Sequence, residues 1–268
     1  MGLRINSNIS ALQAGRQTRQ ANGLLSRTLE QLASARRINR AADDAAGLAI
    51  AEAFSTRVRQ GQVEMNNLQS GINLAQTAEG GLSVQQDALQ RMRELTLQAS
   101  SGTMSDNDRA ALNAEFQQLQ QQVDSIATDT QFNGIAVLSQ DQTIDLGTEG
   151  GNQVELEAST AADYGVAALD ISTAAGAGAA TGTIDQALDG LNARRARLGA
   201  LQNGLSSAIT QRETGVLAAQ ESESMIRDAD LARLATERSR AQMLLQGGIG
   251  AMAQANVTPQ AALNLLGS

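Results

Sequence analysis

The chain has 268 residues, a net charge of −8, and neither histidine nor cysteine. This inventory excludes Ser-His-Asp and cysteine-nucleophile catalysis, zinc sites built from His or Cys, and disulfide bonds. The acidic balance argues against nucleic acid as the main partner. Three Phe, one Tyr and no Trp leave small aliphatic side chains to supply the apolar surface, which suits long helices packed closely along their length. A single proline leaves little to break them.

The first predicted element is a helix over about residues 7–35. Its apolar residues recur at spacings of three and four, as one helical stripe does: Ile5, Ile9, Leu12, Leu25, Leu29 and Leu32. The pattern stops at residues 39–44, where we expect a bend. Asp43 and Asp44 lie in this bend and point about 100° apart on a helix. A negative charge at the N-terminus of the next helix, or pairing at an interface, explains them better than a metal site.

A long second helix is predicted over about residues 43–101. Its clearest apolar stripe runs through residues 68–99, and we expect a break elsewhere along its length. Ser105 and Asp108 have the spacing of a capping box, which predicts a third helix over about residues 106–128.

After the third helix, the spacing of apolar residues changes from the three and four of a helix to the two of a strand. Asn133-Gly134 is a strong turn signal. Residues 143–146 and 153–157 alternate polar and apolar, as half-buried strands do, and residues 147–151 would join them as a hairpin. These signals predict a β-hairpin region over about residues 132–170.

Residues 173–182 form a Gly/Ala/Thr run of low complexity, which we expect to be a loop with nothing to pack against. A fourth helix is predicted over about residues 184–223 and a last one over about residues 230–255. The acidic residues near this junction fit a solvated hinge better than a calcium loop, which needs a glycine turn. The glycines of residues 247–250 are expected to permit close helix–helix approach.

Several stretches of the sequence, taken in this order, resemble the bacterial flagellins, the subunits of flagellar filaments. They are residues 5–12 (INSNISAL), 38–54 (INRAADDAAGLAIAEAF), 90–95 (QRMREL), 131–134 (QFNG), 239–246 (SRAQMLLQ), 253–256 (AQAN) and 264–266 (NLL). The resemblance covers nearly the whole chain and thins only between about residues 140 and 182. It implies a structural protein, without enzymatic activity, cofactor or metal.

The fold class that the helix pattern and the resemblance predict is mainly α. Long antiparallel helices form a coiled-coil-like rod with a small β-hairpin region, and the chain ends pair as helices. Residues 1–42 and 228–268 are the two halves of an inner-tube domain, and residues 43–227 are a rod domain. Flagellins carry their outer variable domains where residues 173–182 lie, so the chain is predicted to be a minimal form without them.

The terminal segments are the predicted polymerisation surface. Each carries one narrow apolar stripe, and such a helix alone is marginal in water. Stacking the paired ends of many copies would bury the remaining apolar surface, so we expect ends that fold on assembly. The candidates are Ile5, Ile9, Leu12, Leu25, Leu29, Leu32, Leu231, Leu234, Leu245, Ile249 and Met252.

The resemblance also implies partners and a location. The chain would form a helical homopolymer and bind a flagellar export chaperone through its C-terminal segment. It would meet the filament cap and the hook–filament junction proteins, and its monomer would bind Toll-like receptor 5 of a host. The receptor-contact candidates are Gln90, Arg91, Leu95, Gln98 and Glu115. Nucleic acid and membrane are not expected partners.

The lack of a visible signal peptide would by itself suggest a cytoplasmic protein. Flagellins, however, leave through the flagellar type III apparatus without a cleaved signal, which places this chain in the extracellular filament. Two alternatives are a hook–filament junction protein, which has similar termini, and a cytoplasmic coiled-coil adaptor. A flagellin with an inserted protease domain is a third, and the lack of histidine argues against it.

Overall fold

The computed structural model describes the backbone of residues 8–266 and the side chains of residues 8–257. The fold is mainly α, as predicted. Its helices are α1 (Ile9–Ser34), α2 (Ala45–Ala99), α3 (Asp106–Asp129), α4 (Ala174–Arg227) and α5 (Leu231–Leu266). Its strands are β1 (Gln131–Phe132), β2 (Ile135–Ala136), β3 (Gln142–Asp145) and β4 (Gln153–Leu156).

The chain divides into two compact units. The terminal unit combines Met1–Val58 with Leu217–Ser268, and the central unit is Arg59–Val216. The predicted boundaries near residues 42 and 228 coincide instead with the breaks between α1 and α2 and between α4 and α5. The assignment of an inner tube and a rod stays a prediction.

Helix α2 is one uninterrupted helix of 55 residues, so the expected break is wrong. Within the central unit it packs antiparallel to α4. A β-carbon at Gly61 would collide with Val216, and further along α2 the Thr96 hydroxyl accepts a hydrogen bond from Thr181 at 3.1 Å. A glycine interrupts the apolar stripe of α2, but at Gly61 it permits close approach of α4. Packing against α4 therefore keeps α2 helical where its own stripe is weak.

Helix α4 begins at Ala174, about ten residues before its predicted start. The Gly/Ala/Thr run is therefore its first turns, and the expectation of a loop with nothing to pack against is wrong. Ala177 and Ala180 are fully buried in a core shared with α2 and α3. Alanine is the strongest helix former, and its small side chain permits close packing.

Helix α3 begins as the sequence predicts. The Ser105 hydroxyl accepts a hydrogen bond from the backbone N–H of Asp108, and the Asp108 carboxylate accepts one from the N–H of Ser105. This capping box satisfies two of the helix's free donors. Phe116 on α3 is fully buried against α2 and α4.

The two predicted turns join antiparallel strands. Asn133 (φ 51°) and Gly134 (φ 79°) form the two-residue turn between β1 and β2, where positive φ at both positions favours this pair. Strand β3 pairs with β4 from Gln142 opposite Leu156 to Asp145 opposite Gln153. The second predicted hairpin is thus confirmed, with β3 starting and ending one residue earlier.

Ion pairs and a hydrogen bond hold the β3–β4 loop against helices α2 and α4 of the central unit. Arg212 of α4 pairs with Glu64 of α2 at 2.8 Å and with Glu149 of the loop at 3.3 Å. The Asn67 amide of α2 donates to the Leu146 carbonyl at 3.0 Å. The Glu64 side chain is only 4 % exposed, so Arg212 also compensates a buried charge.

Residues 157–173 have no regular secondary structure, yet a polar network holds them in the core. The buried Gln85 amide donates to the carbonyls of Val123 (3.1 Å) and Ser159 (2.7 Å). The hydroxyls of Ser159 and Tyr164 share a short hydrogen bond, and the Arg194 guanidinium lies 5.0 Å from the centre of the Tyr164 ring. Burial raises the pKa of Tyr164 above its ordinary value, although Ser159 and Arg194 oppose the shift.

Candidate assembly surface on the terminal helices

The terminal unit pairs α1 with α5 in antiparallel fashion. Asn8, at the start of α1, contacts Ala255, and ten residues further along the chain Thr18 lies against Gly248. The buried positions of α1 include Ala14, Ala21 and Thr28, and those of α5 are Leu234 and Ala241. Both sets repeat every seven residues, as at a coiled-coil seam. Mostly small side chains therefore fill the seam between the two helices.

Large apolar side chains of the same two helices face outwards. Each of the following is between 39 % and 66 % exposed: Ile9, Leu12, Leu24 and Leu29 on α1, and Leu231, Met243, Leu244, Ile249 and Val257 on α5. Large exposed apolar patches mark interaction sites. We call this set the outer apolar surface.

The predicted polymerisation residues fall into three groups. Ile9, Leu12, Leu29, Leu231 and Ile249 belong to the outer apolar surface. Leu25, Leu32, Leu245 and Met252 are half-buried, and Leu234 is buried in the seam. Ile5 lies outside the described residues. Four members of the outer apolar surface were not predicted. Leu24 and Leu244 each directly precede a stripe residue, whereas Met243 and Val257 do not.

The two linkers that follow α1 and α4 bind each other through their backbones. The N–H of Arg37 donates to the carbonyl of Arg227 at 2.7 Å, and the N–H of Ala229 donates to that of Ala35 at 3.0 Å. Beside them, Ile38 is almost fully buried. Both predicted breaks in helicity are present, and the pairing of the two linkers brings α1 and α5 together.

The two adjacent acids of the first linker act differently: Asp44 caps a helix start and Asp43 forms an ion pair with a neighbouring helix, the two roles that were predicted. The Asp44 carboxylate accepts a hydrogen bond from the N–H of Gly47 at 2.8 Å, in the first turn of α2. Asp43 pairs with Arg27 of α1 at 2.7 Å. Partial burial opposes ionisation of Asp43, but the backbone N–H groups of Asn39 and Arg40 and the charge of Arg27 outweigh it and lower its pKa.

The acidic residues near the second linker are engaged in local contacts. Glu223 pairs with Arg227 four residues on, at 3.4 Å, and the Asp230 carboxylate caps the first turn of α5. Over the part of the chain that the structure describes, no three acidic side chains are placed to hold a metal ion.

The predicted receptor-contact residues lie on the central unit, and one of them is buried. Gln90, Arg91 and Gln98 are exposed on α2. Arg91 is 2.9 Å from Glu115 of α3, so the two predicted charges do share one surface. Hydrogen bonds to Glu94 and Glu115 raise the pKa of Arg91. Leu95 is fully buried in the core, so its side chain is not available to a partner in this conformation.

Comparison with known families identifies the chain. Residues 5–143 match the bacterial flagellin N-terminal helical region, and residues 181–266 match the bacterial flagellin C-terminal helical region. The chain belongs to the bacterial flagellin family. It is therefore a flagellar filament subunit, a structural protein.

Two relatives show the extent of the match. A flagellin of Halalkalibacterium halodurans is 40 % identical over 98 % of this chain and 99 % of its own length. A flagellar filament 31.3 kDa core protein of Treponema maltophilum is 36 % identical, with the same coverage. This flagellin is accordingly a short form, as predicted.

A solved structure supports the fold. A Vibrio parahaemolyticus protein assigned as a flagellar hook-associated protein superposes with a TM-score of 0.58, over 69 % of this chain and 99 % of that protein. The two are only 12 % identical, so the likeness concerns the fold alone. None of the flagellin's described helices is long and apolar enough to cross a membrane.

Proposed function

We propose that this flagellin is exported through the flagellar type III apparatus and polymerises through its terminal helices into an extracellular filament. The filament transmits motor torque and so supports swimming. The observation that carries the proposal is the sorting of side chains on α1 and α5. Small residues fill the seam within one chain, and large apolar residues remain on the outer apolar surface.

The occupant of the outer apolar surface is a second copy of the same chain. Removing apolar surface from water contributes about 25 cal/mol per Å², so nine large side chains offer a substantial driving force for association. The surface extends from Ile9 to Leu29 on α1 and from Leu231 to Val257 on α5. A heterologous contact, in which one part of this surface meets a different part on the next copy, leaves an unpaired part at each end and so gives an open helical polymer instead of a closed dimer.

In the proposed filament the terminal segments, residues 1–42 and 228–268, form the inner tube, and residues 43–227 form the surrounding layer. Between β4 and α4 the chain has only residues 157–173, which are held in the core by Gln85 and its neighbours. No outer domain is inserted there, so the filament should be comparatively thin and smooth.

The remaining proposed partners follow from the family. An export chaperone would bind the C-terminal segment, and the filament cap and hook–filament junction proteins would meet the ends of the polymer. The monomer would bind Toll-like receptor 5 through the exposed surface that Gln90, Arg91, Gln98 and Glu115 share. The ion pair of Arg91 with Glu115 supports this choice, because it places both predicted charges side by side.

Electron microscopy of the purified chain after seeding tests the central proposal. Wild-type protein should form long filaments by itself, whereas a junction protein would not. Deletion of residues 1–40 or of residues 230–268 should leave a soluble, largely helical monomer without filaments. Normal filaments from either truncation would refute the role of the terminal helices.

Point variants separate the outer apolar surface from the fold. Leu12→Gln and Ile249→Gln each replace a side chain that is more than half exposed, so the monomer should keep its helicity while the critical concentration for assembly rises. Gln246→Ala, at an exposed polar position between Met243 and Ile249, is the matched control and should assemble normally. If all three variants assemble alike, another surface drives polymerisation.

A further inference from the structure

The only proline of the chain lies inside a helix. Pro259 is within α5, which continues to Leu266. Proline has no backbone N–H, so it cannot donate to the carbonyl four residues earlier. That carbonyl belongs to Ala255, which therefore lacks its helical donor.

Asn8 supplies a donor to this carbonyl from the other end of the chain. Its side-chain Nδ2 donates to the Ala255 oxygen at 2.8 Å and lies 3.4 Å from Oδ1 of Asn256. Its side-chain Oδ1 accepts from the N–H of Ala11 at 3.1 Å and so caps the start of α1. The Asn8 side chain thus accepts a hydrogen bond within α1 and donates one to α5.

We propose that Asn8, the Ala255 carbonyl and Pro259 form a terminal clasp that fixes the register in which the two terminal helices pair. The proline leaves a backbone acceptor free at one position of α5, and the asparagine at the start of α1 is the group that takes it. The proposal deepens the proposed function, because the register decides how the outer apolar surface is presented to the next copy.

The seam itself specifies the register only weakly. Its buried positions repeat every seven residues on both helices, at Ala14 and Ala21 of α1 and at Leu234 and Ala241 of α5. A slide by one heptad would again place seam residues opposite seam residues, so only the linker contacts and the fit of Gly248 against Thr18 oppose it. A polar contact with one unique partner removes this ambiguity, as single polar residues do in coiled coils.

Two substitutions break the clasp from opposite sides. Asn8→Asp keeps an oxygen that can cap α1 but removes the donor to Ala255. Pro259→Ala restores an N–H that competes for the Ala255 carbonyl, while raising the helix propensity of α5. The matched control is Gly247→Ala, which also raises the helix propensity of α5 and places its β-carbon in open space.

A cysteine pair reports the register directly, because the chain has no cysteine of its own. A β-carbon at Gly15 would lie 3.8 Å from the sulfur of Met252. In a full-length chain carrying Gly15→Cys and Met252→Cys, the correct register should bring the two thiols close enough for a short bifunctional thiol cross-linker to join them. A slide of seven residues moves the two positions roughly 10 Å apart at 1.5 Å per residue and prevents the cross-link.

The chain that carries only the cysteine pair is the reference for cross-linking. Adding Asn8→Asp or Pro259→Ala to it should slow cross-linking by about fivefold to tenfold, and each substitution alone should raise the critical concentration for seeded assembly by a similar factor. Gly247→Ala should do neither. Unchanged cross-linking and assembly in both clasp variants, or equal losses in the control, would overturn the clasp. If the reference chain cross-links but the wild type forms no filaments, the proposed polymerisation fails while the clasp stands. If the reference chain does not cross-link in monomer or filament, the clasp is refuted.

Discussion

Gly248 of α5 and Thr18 of α1 approach so closely that a β-carbon on residue 248 would lie 2.5 Å from the Thr18 hydroxyl oxygen. That hydroxyl is itself fixed by a hydrogen bond to the Ala14 carbonyl at 2.9 Å. The side chain is β-branched and stiff at χ1, so it cannot easily turn aside. Residue 248 is therefore a point where the backbone of α5 touches a side chain of α1.

Gly248→Ala should weaken the pairing of α1 with α5, although alanine is the better helix former. Overpacking costs about 1–3 kcal/mol, against a gain of about 1 kcal/mol in helix propensity. Gly247→Ala has the same propensity gain with no neighbour within 4 Å of its β-carbon. Hydrogen exchange of the α1 amides should thus be faster in the first variant than in the second. Equal protection in both would show that the contact is looser than the structure indicates.

Asp43→Asn should destabilise the terminal unit in a pH-dependent way. The carboxylate of Asp43 has its pKa lowered from the ordinary 3.8. Its stabilising contribution is therefore complete above that value and is lost as pH falls through the lower folded-state pKa. The wild-type protein should resist urea better than the variant at about pH 6, and the difference should shrink as pH falls below 3.8 and through the lower folded-state pKa. If the difference in urea resistance stays constant across this pH range, the charge of Asp43 is not the source of the stabilisation.

An insertion of ten polar residues should destabilise the protein to very different extents at two places in the central unit. After Ala177 it would interrupt buried turns of α4 and destroy the core around Ala177 and Ala180. After Gly150 it would only lengthen the exposed β3–β4 loop, which costs little entropy. Thermal unfolding followed by circular dichroism should show a large loss of stability in the first variant and a small one in the second. Comparable melting of the two would contradict the placement of the Gly/Ala/Thr run in the core.

Arg91→Ala and Glu115→Ala should each weaken activation of Toll-like receptor 5 by the monomer. Arginine is a frequent hot-spot residue at interfaces, so its loss should weaken binding strongly, whereas the exposed pair with Glu115 contributes little to the fold. Helicity should therefore persist while potency falls in a receptor reporter assay. Arg93→Ala is the control, because Arg93 pairs with Asp185 of α4 instead. Silence of the wild type, or unchanged potency in both folded variants, would remove the receptor proposal.

The elements that local chemistry determines were predictable from the sequence. The capping box of Ser105 with Asp108, the turn at Asn133-Gly134 and the breaks that follow α1 and α4 are all present. Each depends on residues within a few positions of one another. Such signals act before any long-range packing and so survive in the folded chain.

The predictions from sequence were wrong where tertiary packing, and not the local spacing of apolar residues, decides the structure. The Gly/Ala/Thr run is helical because α2 and α3 cover Ala177 and Ala180, and α2 is continuous because α4 packs against its glycines. In the candidate site, the sequence indicated which segments are apolar but not which side chains pair within the chain. Alanine does not stand out in an apolar pattern, so Ala14, Ala21 and Ala241 were missed as the seam.

The buried Tyr164 can serve as a single intrinsic fluorescence probe of this protein. It is the only tyrosine of a chain without tryptophan, so ultraviolet emission comes from one ring, in the central unit. That ring is hydrogen-bonded to Ser159 and covered by Arg194, and unfolding would expose it to water. Circular dichroism, by contrast, reports the helices of both units. Comparing the two signals during denaturation can therefore show whether the terminal and central units melt together, without any added label.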